Sequence, residues 1–356
     1  MTDAELDEVI VRVEGAVGRL TLNRPRALNA LTTRMCTLIS DALLKWESDP
    51  AVRLVLIDHA GERGFCAGGD IRLIQQSGAG DGVEARAFFA AEYRMNDLLH
   101  RYAKPTVVIM DGLTLGGGVG VSAPCRHRVA TERTAWAMPE GDIGLYPDVG
   151  AGWYLPRLPG HVGAYLALTG ARMKGGDCLH LRLATSYTPS DKVEAMKAAL
   201  VESGDLTVID RFAEEPGPAA VDAQRADIDR LFSADAVEAI EAALAADGGD
   251  WASAQLATMR KKCPTTQKVS LRLIEAGARR PSFTDEMAAE YRVSCRMVHR
   301  HDFIEGVRAL IIDKDNSPRW EPATLAEVTD LMLDEIFAEL PSDEEWTPLL
   351  DAPTAS

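Results

Sequence analysis

Two acids stand eight residues apart in the stretch AMPEGDIGLYPDVGAG: Glu140 directly after Pro139, and Asp148 directly before Val149. Both fall in loops punctuated by Pro and Gly, beside apolar neighbours. Partial burial in such a place raises a carboxyl pKa toward neutrality and suits it to base or nucleophile work. A loop carboxylate can equally be a helix cap or a solvated charge, and the pair alone leaves both readings open.

Three glycine-rich loops each follow a strand-like run: GFCAGGD (64–70), GLTLGGGVG (112–120) and GLYPDVGAG (144–152). No G-x-x-x-x-G-K-[ST] occurs and none of the loops gives a clean G-x-G-x-x-G, so nucleotide-phosphate binding is poorly supported. A second chemistry fits better. Glycine at a strand-to-helix junction lets a backbone N–H approach a ligand oxygen. The following helix adds unpaired donors and the positive end of its dipole. Two such N–H groups from separate loops can polarise one carbonyl. Tight helix–strand packing explains the same glycines, and the residues alone stop at acyl-group chemistry, weakly suggested.

Other chemistry is thin. The seven histidines form no H-E-x-x-H pattern, no G-x-S-x-G elbow is present, and Cys66 has only His59 near it in sequence. No metal site or redox cofactor is implied.

Elements must hold these loops. Val9 to Leu22 reads as a hairpin through Gly15. Thr32 or Thr33 caps a helix reaching Trp46. RLVLIDHAG is a short apolar run bounded by glycine, as in a buried strand. A helix from Val83 to Tyr102 and a strand from Thr106 to Met110 follow, then two more short strands before the third loop. From Val162 the pattern is mostly helical, with Ser233 as N-cap and Gly248 and Gly249 as terminator of one helix. Residues 205–226 read as a polar surface connection. Strand–helix alternation in the first half indicates βα-type units, an α/β class.

The 356 residues are 46% hydrophobic and 26% charged, as expected of a globular chain with ample core. A formal charge of −16 argues against nucleic acid as partner, since phosphate neutralisation needs clustered Lys and Arg. An anionic small ligand needs a local basic patch, and Arg24 and Arg26 can supply one or be solvated arginines beside a turn. Six scattered cysteines without a CxxC pair point to a reducing compartment. The acidic start MTDAELDEVI does not read as a signal peptide, and no apolar run is long enough to span a membrane. The expected location is the cytoplasm.

GFCAGGDI, MDGLTLGGGVGVS and MPEGDIGLYPDVGAGWYLPRLPG together resemble the crotonase (enoyl-CoA hydratase/isomerase) superfamily. Within it they are most similar to the acyl-CoA thioester hydrolases that act on 3-hydroxyisobutyryl-CoA. HDFIEGVRALIIDKDNSPRWEPATLAEV (301–328) and KKCPTTQKVSLRLI fit the same subgroup, so the resemblance covers roughly residues 9 to 335. It implies a crotonase-type spiral of ββα units in residues 1–200, carrying the active site. A helical C-terminal region over 201–335 completes the fold, and 336–356 is a loosely ordered tail. Homo-oligomers, trimers or hexamers, are implied.

The resemblance also assigns residues. Gly69 and Gly117 take the oxyanion-hole positions. Glu140 and Asp148 are the catalytic carboxyls, and Glu92 joins them among the substrate-contacting positions. Ala67 and Gly68 hold the adenine end of coenzyme A, with Arg26 as a further CoA contact. CoA enters as part of the substrate, with no separate cofactor. Hydratases of this superfamily carry a second glutamate three residues after the middle glycine of the triplet, where this chain has Gly120. Adding water across C=C wants two carboxylates on one water; thioester hydrolysis needs two oxyanion donors and one carboxylate. Glu140 is then nucleophile or general base, and a glutamate at 120 is expected to face the same pocket.

Overall fold

A computed structural model describes residues 7–350. The acidic start and the last six residues, on which part of the leader and tail expectations fall, lie outside that range.

The larger of two sheets runs β1 (Val9–Glu14), β2 (Val17–Leu22), β3 (Leu54–His59), β5 (Thr106–Met110), β7 (His127–Ala130) and β10 (Ser186–Tyr187) in spatial order. β1 and β2 form the expected antiparallel hairpin, and every later pairing in this sheet is parallel. The smaller sheet orders β4 (Gly64–Cys66), β6 (Leu113–Leu115), β8 (Ala135–Ala137) and β9 (Met173–Lys174). Short strands β4 and β6 pair parallel, so the two glycine loops that follow them leave in the same direction.

Leu54 to Ile57 are apolar without alternation because both faces of β3 are covered. Val55 and Ile57 join the main core, while Leu54 and Leu56 join a second one with Val193, Met196 and Leu200 of the helix Val193–Ser203. The main core runs from Val9 to Trp346, across the boundary placed at residue 200.

Helix α1 (Thr33–Glu47) starts where expected: the Thr32 hydroxyl accepts from the Met35 N–H at 3.1 Å. Helix α2 (Ile71–Gly78) opens directly after the first glycine loop, α3 (Val83–Arg101) carries Glu92, and α4 (Gly117–Ser122) opens inside the glycine triplet.

Three expectations change. Ser233 is not a cap: its helix spans Val237–Asp247 with Ala236 at the N-cap, and the Ser233 hydroxyl bonds the Arg230 carbonyl. The stretch 205–226 is more than a surface connection, because it forms the helix Thr207–Phe212 and buries Val208 and Ile209 in the second core. The tail is packed where it is described. Trp346 is buried and donates to the Ala90 carbonyl at 3.3 Å, and Arg86 and Arg292 pair with Glu344 and Glu345. Among the described residues, no helix is long and apolar enough to cross a membrane.

Candidate active site

The three glycine loops converge on one cavity of about 310 Å³. Ala67, Gly68, Gly69, Gly116, Gly117, Glu92, Glu140 and Asp148 all line it, so the residues singled out for acyl chemistry share one space. Its apolar wall comes from Ile71, Ile74, Phe88, Phe89, Leu115 and Ile311 among others. A mostly apolar cleft with a few convergent polar groups is the usual form of a small-molecule site.

Gly117 opens α4, so its N–H has no intrahelical acceptor. Among the described residues neither the Gly69 nor the Gly117 N–H donates a hydrogen bond. The loops touch: a Cβ at Gly117 would sit 3.3 Å from the Gly68 carbonyl carbon and 2.5 Å from Glu92 Oε1. Gly116 needs its bare backbone twice over. It lies at φ 47°, and a Cβ there would fall 2.8 Å from Glu140 Oε1. The glycine triplet therefore leaves room for the carboxyls as well as for a ligand.

Glu140 is the first residue of a short helical turn, Glu140–Asp142, whose end is tied down by the Cys263 N–H on the Gly141 carbonyl. Beside it Lys262 pairs with Asp142 at 2.7 Å. Glu140 and Glu92 are buried, and Glu140 Oε2 and Glu92 Oε1 have no hydrogen-bond partner among the described residues. Such oxygens are ready acceptors or donors for a ligand.

Burial, then the charge of Asp148, pushes the Glu140 carboxyl well above the usual carboxylate range. Glu92 rises for the same reasons, burial first and then the charges of Asp148 and Glu140. Asp148 is pushed up to about 6 by burial, held back by a hydrogen bond from Tyr93 and by its own backbone. Of the three, Asp148 is the one whose charged form a tyrosine hydroxyl supports, through the 2.7 Å bond from Tyr93. A carboxyl with its pKa raised toward the working pH is a competent base once ionised.

Asp148 precedes an unusual turn. Val149 has φ 52°, rare for a β-branched residue, and Gly150 follows at φ 95°. The buried Glu290 carboxylate closes this turn, accepting from the Gly150 N–H at 2.7 Å and the Gly152 N–H at 3.1 Å.

This geometry shows where the arginines of the basic patch lie and corrects the expectation for Gly120. Arg24 forms no open basic patch: its guanidinium bonds the Ala30 carbonyl, Asp70 and Glu8. Arg26 lies exposed on the turn Pro25–Ala27 and is not among the cavity residues, whereas the exposed Arg172 is. Gly120 does not face the pocket either; a Cβ there would meet Val149 Cβ at 2.7 Å and Asn96 Nδ2 at 3.0 Å. Four carboxyls, Glu92, Glu140, Asp142 and Asp148, line the cavity without it, so Gly120 marks no shortage of acids. Sequence reasoning missed Arg172, Ile311 and Tyr93. Arg172 and Ile311 lie outside the glycine-loop stretches, and Tyr93 is an ordinary helical tyrosine until the fold places it.

The sequence profile described as enoyl-CoA hydratase/isomerase matches residues 17–337. A relative from Danio rerio, 3-hydroxyisobutyryl-CoA hydrolase, mitochondrial, is 44% identical over 344 residues, covering 94% of this chain and 90% of that one. The Homo sapiens protein of the same name is 40% identical, with 96% and 91% covered. A crystal structure of a carnitinyl-CoA dehydratase from Mycobacterium thermoresistibile superposes with a TM-score of 0.92 at 43% identity, covering 96% of this chain and 99% of that one. One of an enoyl-CoA hydratase from Rhodobacter sphaeroides gives 0.89 at 39%, with 96% and 100% covered.

Proposed function

The chain belongs to the enoyl-CoA hydratase/isomerase family, and we propose that within it the protein is an acyl-CoA thioester hydrolase acting on 3-hydroxyisobutyryl-CoA. The observation that carries this reading is the likeness to hydrolases of that name over nearly the full length of both partners. The acyl group is the one met in valine breakdown. All six cysteines are free thiols, which suits a reducing compartment such as the cytoplasm.

The chemistry needs little more than the cavity offers. The thioester oxygen takes the Gly69 and Gly117 N–H groups, which stabilise negative charge as the carbonyl carbon becomes tetrahedral. Glu140, once ionised, attacks that carbon or takes a proton from the water that does. The C–S bond then breaks, and CoA leaves as a thiolate whose thiol pKa is about 8.5, without strong acid help. Where Glu140 itself attacked, water then adds to the resulting anhydride and breaks its bond to Glu140, releasing the acid and restoring the carboxylate. Asp148 orients Glu140 or the attacking water. Glu92, whose protonated form is favoured by burial and then by the charges of Asp148 and Glu140, donates to the hydroxyl of the acyl group. Ala67 and Gly68 flank the CoA arm, with Arg26 and the cavity-lining Arg172 as its basic contacts.

A second reading, addition of water to an enoyl-CoA, is favoured by the names of the two structural neighbours. Four carboxyls lining one cavity are enough to grip a water, so carboxyl number does not separate the readings. The acyl group does. Thiol release from 3-hydroxyisobutyryl-CoA is expected to exceed that from isobutyryl-CoA, which lacks the hydroxyl for Glu92. No thiol release from any saturated acyl-CoA would overturn the proposal and leave a hydratase or a CoA-binding protein.

A further inference from the structure

Behind the cavity lies a chain of buried hydroxyls that the mechanism above does not use. Tyr93 Oη is 2.7 Å from Asp148 Oδ2 and 2.6 Å from Ser294 Oγ. Ser294 Oγ is 2.9 Å from Tyr146 Oη, which in turn is 2.7 Å from the Glu290 carbonyl oxygen. Tyr93, Tyr146 and Ser294 are all fully buried, so solvent does not replace a lost partner.

We propose that Tyr93 is a positioning residue of this reaction: its hydroxyl fixes the Asp148 carboxylate against the cavity through a hydroxyl chain anchored on the helix Phe283–Met297. The proton order follows from which groups can only accept. The ionised Asp148 accepts, so Tyr93 donates its one proton there. The Tyr93 oxygen is left to accept from Ser294. Tyr146 meets a carbonyl that can only accept, so its proton points away from the cavity to Glu290. Each hydroxyl proton then has an acceptor, and the 2.9 Å contact between Ser294 and Tyr146 is the one link that carries no proton. A neutral Asp148 offering its own proton to Tyr93 would turn the Tyr93 and Ser294 protons toward Ser294 and Tyr146, while the Tyr146 proton stays on the Glu290 carbonyl.

The groups facing Asp148 make this hold necessary. Glu92 comes from α3, Glu140 from its loop, and Glu290 from the helix Phe283–Met297; each is buried and each is pushed up in part by the charge of Asp148. Among the hydroxyls, Tyr93 and Tyr146 are raised by burial first and by that same charge as well. Tyr93 is the side chain that bonds Asp148 and counters this crowd. It sits one residue after Glu92 on α3, so one helix carries a cavity acid on one face and the holder of another beside it.

The inference rests on the hydrolase reading for its meaning but not for its test. Infrared difference spectra against pH, read at the carboxyl C=O band, follow Asp148 in the absence of substrate, with Asp148→Asn assigning the band. In Tyr93→Phe the Asp148 midpoint should move up by about one pH unit, a tenfold change in its proton affinity. Ser294→Ala should move it the same way by less, since Ser294 only polarises Tyr93. The acid limb of kcat/KM should move with the midpoint. An unmoved midpoint in folded Tyr93→Phe, even with activity lost, would make Tyr93 a packing residue and overturn the proposal. If Tyr93→Phe does not fold, the Ser294→Ala midpoint decides in the same way. A moved Tyr93→Phe with an unmoved Ser294→Ala would reject the anchoring half. Absence of thiol release in the parent would sink the hydrolase reading while leaving the infrared result to judge Tyr93.

Discussion

At the scale of the residue, three buried carboxyls share one low-dielectric space: burial raises all three, and the charge of Asp148 raises Glu92 and Glu140 further. Glu140→Gln should lose at least about 100-fold in kcat, the lower range of acid–base assistance. It should also make the protein more stable near pH 7. The sign follows from the raised pKa. A buried Glu with its pKa lifted favours folding fully below its unfolded value of about 4.3. That advantage is lost as pH rises through the folded value, and Gln does not lose it. Melting temperatures of parent and variant should therefore converge in acid and separate toward neutrality; equal curves at pH 7 would contradict the assignment. Gly117→Ala tests the other partner. Its Cβ would press on Glu92 Oε1 at 2.5 Å and displace the bound carbonyl. A loss of roughly 2.7–4 kcal/mol in transition-state stabilisation, seen mainly in kcat, is expected. Glu140, Asp148 and the glycine loops were legible in sequence because Pro and Gly punctuate them. Glu92 was legible only by family resemblance, since nothing in a helical FFAAEYRMN marks which face meets a cavity. Tyr93 was invisible, its partner Ser294 lying 201 positions away.

At the scale of the element, the site depends on segments held at both ends. The turn after Asp148 keeps Val149 at φ 52° because the Glu290 carboxylate grips two N–H groups beyond it. Glu290→Gln keeps one acceptor oxygen and gives up the other. It should lower kcat about tenfold with a smaller change in KM, read by steady-state thiol release. An unchanged kcat would mean the turn holds its shape without the clamp. Strand and helix periodicity predicted the hairpin, α1, β3, α3 and β5 closely, because each pairs a clear pattern with a clear stop. It failed at Ser233, where a polar residue suited to capping bonds backward to Arg230 instead. It failed also at Gly120, where helical spacing suggested a pocket-facing position but Val149 and Asn96 occupy the space. Packing between elements decides such cases, and one-dimensional spacing does not carry it.

At the scale of the whole molecule, the C-terminal segment closes over the helix that bears Glu92 and Tyr93. Trp346 is buried against α3 through the Ala90 carbonyl. Trp346→Ala should cost about 3 kcal/mol of stability, the low end for a buried aromatic, and lower the melting temperature by several degrees. A shift under one degree would mean the segment is an ornament on a core that stands alone. The central claim, however, is that this cavity breaks a thioester. It is tested most directly by giving one preparation 3-hydroxyisobutyryl-CoA and crotonyl-CoA in parallel, following free thiol and enoyl absorbance together. Free thiol should rise with 3-hydroxyisobutyryl-CoA while the enoyl absorbance of crotonyl-CoA persists. Efficient loss of that absorbance, with no thiol released from 3-hydroxyisobutyryl-CoA, would contradict the account.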